Sequence, residues 1–302
     1  MVTNLHILLT YRCTLKCDHC DVFGSPQAKG VLSDQRVYTI LKEAKNIGSI
    51  QWIFFEGGEP FLFYPLLLKG IHTAKKMGFN VGVITNGSFA RNEEYAIKHL
   101  IPLIRLGLSR LYVSNDHYHY KDPASSPAMR TIQVARQLNL ETIEVQVVSP
   151  IEISANTEPF FSKAGTRECA TRNLMLLGRA AKHLVPGLPD DHLTANMDCP
   201  YPDLADPKYV SIDPYGYLHV CQGIALGNVW KESLSDLLKD TKPANHPILG
   251  PILLGGPGEL DRVYRTQPIQ VSKNPCFYCF QVRSSLLDRF PQYLAPRQVY
   301  GL

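Results

Sequence analysis

An α/β fold built on a parallel sheet is what this 302-residue sequence predicts, and three observations predict it. Short strand-like runs alternate with helix-like stretches over the first half of the chain. Such an order needs crossover connections and gives a parallel sheet with right-handed units. The residues of greatest chemical character fall where the strand-like runs end, as in barrels whose chemistry sits at the C-terminal strand ends. Beyond residue 186 prolines, a hairpin pattern and scattered cysteines replace the alternation, so a second, smaller module follows. The expected division is 1–185 for the barrel and 186–302 for the module.

Asn4–Thr10 reads as a first strand, apolar enough to be buried on both faces. The loop 11–30 holds three cysteines, and Ser33 is placed to cap a helix running to about Ile47. Ile50–Phe55 is the second strand and Pro65–Met77 a helix stopped by Gly78. Asn80–Thr85 is the third strand, a helix covers about Asn92–Leu106, and Arg110–Ser114 is the fourth strand. Ser126-Pro127 supplies a cap and a first helical residue for a helix to about Leu138, and Glu141–Val148 is the fifth strand. The stretch 149–172 carries Pro150, Pro159 and Gly165, which break periodicity, and Asn173–Leu177 is the expected sixth strand. Tyr209–Ile212 and Tyr217–Cys221 flank Asp213-Pro214-Tyr215-Gly216 as a hairpin. A short helix opens at Ser233, and another is expected over about Gln281–Phe290.

Composition narrows the function classes. Apolar residues make up 45% of the chain, enough for a globular core. Lys and Arg number 31 against 27 Asp and Glu, too even a balance for a nucleic-acid surface. No apolar run is long enough to span a bilayer, and the N-terminus lacks the basic and apolar regions of a signal peptide. The eight cysteines are clustered in metal-like spacings rather than spread as a disulfide framework, and a reducing cytoplasm is the expected location.

Cys13, Cys17 and Cys20 form C-x3-C-x2-C directly after the first strand. Soft thiolates at this density suit iron–sulfur clusters or zinc. Three thiolates on a four-iron cluster leave one iron open, whereas a structural zinc takes four closed ligands. After the second strand comes Glu56-Gly57-Gly58-Glu59-Pro60. Two glycines at a strand end allow a close backbone approach, and a carboxylate beside them can accept from an ammonium group; a tight turn before a helix is the structural alternative. Asp116, His117 and His119 bring two imidazoles and a carboxylate together at the end of the fourth strand, where a substrate- or cofactor-facing loop rather than a metal site is expected.

The two motifs, in this order and each behind a strand, resemble those of radical S-adenosylmethionine (radical SAM) enzymes, with His19 at the aromatic position of C-x3-C-x-aromatic-C. The resemblance covers about residues 4–150. It implies a partial (β/α)6 TIM-like barrel and a [4Fe-4S] cluster on Cys13, Cys17 and Cys20 that binds S-adenosylmethionine. Gly57, Gly58 and Glu59 would surround the methionine end, with His19, Asn86 and Ser114 as further cofactor contacts, His19 at the adenine and Ser114 at the ribose. It further implies an electron from a low-potential donor such as flavodoxin or ferredoxin, cleavage to a 5′-deoxyadenosyl radical, and hydrogen abstraction from a substrate C–H bond. The hard chemistry of such a site is the cofactors' own.

Cys199, Cys221, Cys276 and Cys279 give C-x21-C-x54-C-x2-C, a set that can close over a four-iron cluster or a zinc. With Asp213, Gly216 and Gly227-Asn228-Val229 they resemble the twitch or SPASM-like module that follows many radical SAM barrels, which implies one auxiliary [4Fe-4S] cluster. The substrate is open between a ribosomal peptide (epimerised or cross-linked) and a small molecule (dehydrogenated or otherwise modified), and a non-catalytic metal-stabilised binding protein is the third reading. The strand beginning at residue 4 leaves no expected room for a leader-binding domain ahead of it. Cys169 is the cysteine outside both sets; a free Cys is most often a small buried hydrophobe. In its polar surroundings it is also the candidate to return a hydrogen atom to a substrate radical, as in the peptide epimerases this chain resembles.

Overall fold

The computed structural model describes residues 1–148, 169–185, 199, 204–239, 245–266 and 274–302. The backbone divides into two compact units. One holds Thr3–Cys17 and Gly24–Leu174; the other holds Met1–Val2, Asp18–Phe23 and Met175–Leu302. The division therefore falls at Leu174/Met175, ahead of the expected 185/186, and residues 18–23 group with the C-terminal unit.

The first unit is the α/β barrel part. Its strands are β1 (Asn4–Thr10), β2 (Trp52–Gly57), β3 (Asn80–Thr85), β4 (Arg110–Ser114), β5 (Glu141–Val148) and β6 (Cys169–Asn173). They lie side by side in sequence order, each parallel to the next. The helices between them are α1 (Asp34–Ile47), α2 (Tyr64–Lys76), α3 (Glu93–Arg105) and α4 (Pro127–Gln137). The expected caps form at Ser33 and Ser126, and Asn92 caps α3 as well; each accepts from a main-chain N–H in the first turn. The sixth strand is Cys169–Asn173, earlier than the expected 173–177, and the preceding stretch 149–168 lies outside the described residues.

Because partners in a parallel ladder share a face, the pairing sorts the side chains. One face carries Ile7, Phe55, Val83 and Leu111, which align across β1 to β4 and are all fully buried. It is the helix-covered face, since the Phe55 ring lies so near Gly70 of α2 that a Cβ there would sit 2.9 Å from it. The other face carries aromatics. Phe54 lies 4.8 Å from His6, 5.5 Å from Trp52 and 5.7 Å from Tyr112 between ring centroids, and Gly82 leaves the space that the Phe54 ring occupies. The Arg110 guanidinium stands 4.7 Å above Trp52. Burial of the Phe54 ring contributes about 1.5–3 kcal/mol, which helps to fix this register.

The C-terminal unit begins with a short helix, α5 (Ala180–His183), followed by an antiparallel sheet of β7 (Tyr209–Ile212), β8 (Tyr217–Cys221) and β9 (Ile224–Asn228). The hairpin turn forms as expected: the Asp213 carboxylate accepts from the Tyr215 and Tyr217 N–H groups at 2.8 and 2.9 Å. Gly216, at φ +88°, lies under the Trp230 indole, where a Cβ would meet Nε1 at 2.1 Å. Three helices follow, α6 (Leu234–Lys239), α7 (Leu249–Tyr264, broken at Gly255–Gly256) and α8 (Pro275–Ser285). The last starts earlier than the expected 281–290, so it takes in the close cysteine pair. Asn274 caps it by accepting from the Phe277 N–H, and Pro275 fills its first position. Among the described residues no helix is long and apolar enough to cross a membrane.

Candidate functional site: a cysteine loop at the strand ends

The ends of β1 and β2 are tied together by main-chain contacts that leave no space for side chains. The Gly58 N–H donates to the Thr10 carbonyl at 2.7 Å and the Glu59 N–H to that of Arg12 at 2.9 Å. A Cβ on Gly57 would lie 2.3 Å from the Thr10 carbonyl oxygen, and one on Gly58 would lie 2.2 Å from that of Arg12. The glycine pair is thus needed by the fold itself, to bring the second strand end against the chain entering the cysteine loop.

Glu59 is 1% exposed. Its carboxylate accepts from the Phe61 N–H at 3.0 Å, from the Asn86 N–H at 2.9 Å, and from the Thr85 hydroxyl at 2.8 and 3.0 Å. Burial raises its pKa to about 7, against the pull of these donors. The side chain is engaged with protein donors at both oxygens, so the carboxylate is a brace between strand ends.

Asn86, held in this way, donates from its amide to the Cys13 sulfur at 3.4 Å and to the Thr14 hydroxyl at 3.1 Å. The Leu15 N–H also donates to the Cys13 sulfur, at 3.4 Å. Two donors aimed at one sulfur suit a thiolate ligand, the donor set and charge that a cluster requires. Tyr120 donates to the Asn86 carbonyl at 2.7 Å, and burial, then the charges of Glu59, Cys17 and Cys13, push its pKa up. Cys20 and His19 lie in the segment 18–23, which the C-terminal unit holds: the Arg179 N–H donates to the Cys20 carbonyl at 2.8 Å, and Gly178 packs against the Asp21 main chain.

Ser114 ends β4 on the aromatic face, opposite Val145 in register. Asp116 is a turn brace, accepting from the Tyr118, His119 and Val147 N–H groups at 2.9, 3.0 and 3.0 Å, with His119 Nδ1 at 2.9 Å. His117 is exposed. On the aromatic face the sequence reading passed over His6 and Glu56, which approach to 3.1 Å between β1 and β2; the alternation of His6 with Leu5 and Ile7 was the available signal. Cys169 opens β6 opposite Glu144. Register puts it on the side of Val113, and Arg136 of α4 acts on its thiol, so it stands on the helix-covered face. Burial, then Glu144, raises its pKa.

The second cysteine set meets within the C-terminal unit. Cys199, Cys221, Cys276 and Cys279 line one cavity, with Leu177 and Ile224 on its apolar wall. Burial pushes the Cys221 thiol up to about 12, with Arg283 pulling it down. Burial likewise raises Cys276, and Arg283 again opposes. Arg283 was missed from sequence, although Cys276, Cys279 and Arg283 at helical spacing share one face of α8.

Residues 7–148 of this chain match the family model of the Radical SAM superfamily. Among curated proteins it is 27% identical over 134 residues to YydG of Bacillus subtilis, a protein named for peptide biosynthesis. That match takes in 44% of this chain and 42% of YydG. It is 30% identical over 113 residues to the tungsten-containing aldehyde ferredoxin oxidoreductase cofactor-modifying protein of Pyrococcus furiosus, across 37% of this chain and 30% of that protein. The chain thus spans less than half the length of these relatives. Among solved structures, BtrN with AdoMet and 2-DOIA superposes with a TM-score of 0.51 at 16% identity, covering 80% of this chain and 84% of BtrN. SuiB of Streptococcus suis bound to S-adenosylmethionine gives 0.50 at 12% identity, over 80% of this chain and 66% of SuiB. These two likenesses establish the α/β partial-barrel fold.

Proposed function

We propose that this chain is a radical SAM enzyme that cleaves S-adenosylmethionine reductively and removes hydrogen from a C–H bond of its substrate. The observation that carries the reading is the pair of donors on the Cys13 sulfur, set by Asn86, which Glu59 fixes in turn. Cys13, Cys17 and Cys20 would hold the [4Fe-4S] cluster. Gly57, Gly58 and Glu59 would meet the ammonium end of the cofactor through main-chain oxygens, since the Glu59 carboxylate is occupied. His19 and Ser114 are the proposed adenine and ribose contacts. When bound, cluster and cofactor supply a primary radical strong enough to attack an unactivated C–H bond. The protein's part is to hold Cys13 in a donor field and to wall the substrate with the aromatic face.

Cys199, Cys221, Cys276 and Cys279 would hold one auxiliary [4Fe-4S] cluster, in keeping with four thiols on one cavity. The proposed substrate is a peptide, supported by the likeness to YydG, with a low-potential flavodoxin or ferredoxin as electron donor. Anaerobic reconstitution with iron, sulfide, dithionite and S-adenosylmethionine tests the reading. Formation of 5′-deoxyadenosine and methionine is expected; their absence from iron-loaded protein would leave a metal-stabilised binding protein. Product formed from a small molecule and not from any peptide offered would replace the peptide reading.

A further inference from the structure

Arg283 is fully buried, among the largest side chains with no exposure at all. An isolated cation in such a place is strongly disfavoured unless paired. Among the described residues it forms no salt bridge. Its guanidinium donates to three neutral groups: the Cys279 carbonyl at 3.4 Å, the Gln222 carbonyl at 2.8 Å and the Tyr300 hydroxyl at 3.4 Å. The second terminal nitrogen, NH2, is buried and meets no acceptor among the described residues. Tyr300 is itself committed, donating to the Gly223 carbonyl at 2.8 Å.

The same guanidinium lines the cavity shared by Cys199, Cys221, Cys276 and Cys279. A guanidinium keeps its proton under all ordinary conditions, so this cavity wall is permanently positive. Thiols as acids are neutral and do not balance it. Four thiolates around a divalent metal or a cluster of core charge +2 carry a net charge of about −2, and do.

We propose that Arg283 is the built-in counter-cation of the four-cysteine centre, with its unpartnered NH2 group donating to a ligand sulfur. This rests on the reading that the four cysteines hold a metal centre. It makes Arg283 a positioning residue: one Arg N–H group fixes sulfur geometry, and its charge favours the anionic, metal-loaded state and the reduced form of that centre. The same charge leaves the metal-free cavity with a buried cation that no described residue neutralises, so metal retention and Arg283 are coupled.

The test uses the full chain with Cys13, Cys17 and Cys20 replaced by Ala, so that the four-cysteine centre alone is read. Iron-loaded protein with Arg283, Arg283→Lys or Arg283→Met is challenged with a chelator, and its midpoint potential and metal-free Tm are measured. Loss of an outer partner typically weakens metal retention about 10–100-fold, and that loss is expected for Arg283→Met, with a lower potential and partial rescue by Lys. The metal-free Met variant should melt no lower than its Arg parent, since it has shed an unpaired buried charge. Equal retention and potential in all three proteins would overturn the proposal. So would a metal-free Met variant that is unfolded, which would make Arg283 a packing residue. If the Arg283 parent holds no metal, the four-cysteine reading itself fails, a result distinct from either.

Discussion

The Thr85 hydroxyl reaches both oxygens of the Glu59 carboxylate, at 2.8 and 3.0 Å, and so ties the end of β3 to the end of β2. The same carboxylate also takes the Phe61 and Asn86 N–H groups, one at each oxygen. An amide in its place offers one oxygen and turns an NH2 group towards a main-chain donor. Glu59→Gln should therefore destabilise the fold by about 1–3 kcal/mol, the cost of one buried unsatisfied donor, measured by denaturant unfolding. An unchanged stability would remove Glu59 from its role as brace.

The same group sets a pH dependence. Its pKa in the fold is about 7 against an ordinary value of 4.5, so the folded state holds the proton more tightly than the unfolded chain. Stability from this group is full below about 4.5 and is lost as pH rises through about 7. The loss is on the order of 3 kcal/mol at about 1.4 kcal/mol per unit. Unfolding curves for Glu59→Gln should lack that part of the slope between these pH values.

Gly58→Ala would place a Cβ 2.2 Å from the Arg12 carbonyl oxygen, and main chain cannot step aside as a flexible side chain does. Destabilisation of about 1–3 kcal/mol is expected, and cofactor cleavage should fall with it because the cysteine loop starts at that carbonyl. Normal cleavage by a fully folded Gly58→Ala protein would contradict this.

Reconstituted protein should hold roughly eight irons, as two four-iron clusters. Replacing Cys13, Cys17 and Cys20 by Ala should halve the iron and abolish S-adenosylmethionine cleavage. Replacing Cys276 and Cys279 should also halve it, leave cleavage largely intact and eliminate substrate product. Zinc in place of iron in the second set would correct that assignment.

Cys169 stands on the face that α4 covers, under the influence of Arg136, and not among the aromatics around Phe54. Cys169→Ala is expected to retain turnover, at a cost of about 1 kcal/mol of stability. Product made in heavy water measures the alternative. If the wild-type protein incorporates solvent deuterium and the variant does not, the thiol is a hydrogen donor after all.

The strands were legible where both periodicity and flanking turns agreed. Asn80–Thr85, Arg110–Ser114 and Glu141–Val148 lie as the residues indicate, because Gly78, Gly107 and Asn139 punctuate them. Helix α8 was placed too late: the apolar pattern strengthens only after Cys279, while the start is set by Asn274 and Pro275, a cap signal outweighed by the search for periodicity. The cysteines and glycines of the site could be read because spacing alone carries their chemistry. The roles of Glu59, Asn86 and Arg283 could not, since each depends on partners 27, 73 or 61 residues away in sequence.

The chain has two tryptophans, and each unit owns one. Trp52 sits between the Phe54 ring and the Arg110 guanidinium, and Trp230 covers Gly216 at the hairpin turn. The molecule thereby contains a separate optical reporter for each half. Trp230→Phe leaves emission from the barrel strands alone, and Trp52→Phe leaves that of the cysteine module. Fluorescence from the two single-tryptophan proteins, with and without metal, would show which half iron stabilises. Melting of the Trp230 signal alone should respond to whatever the four cysteines bind.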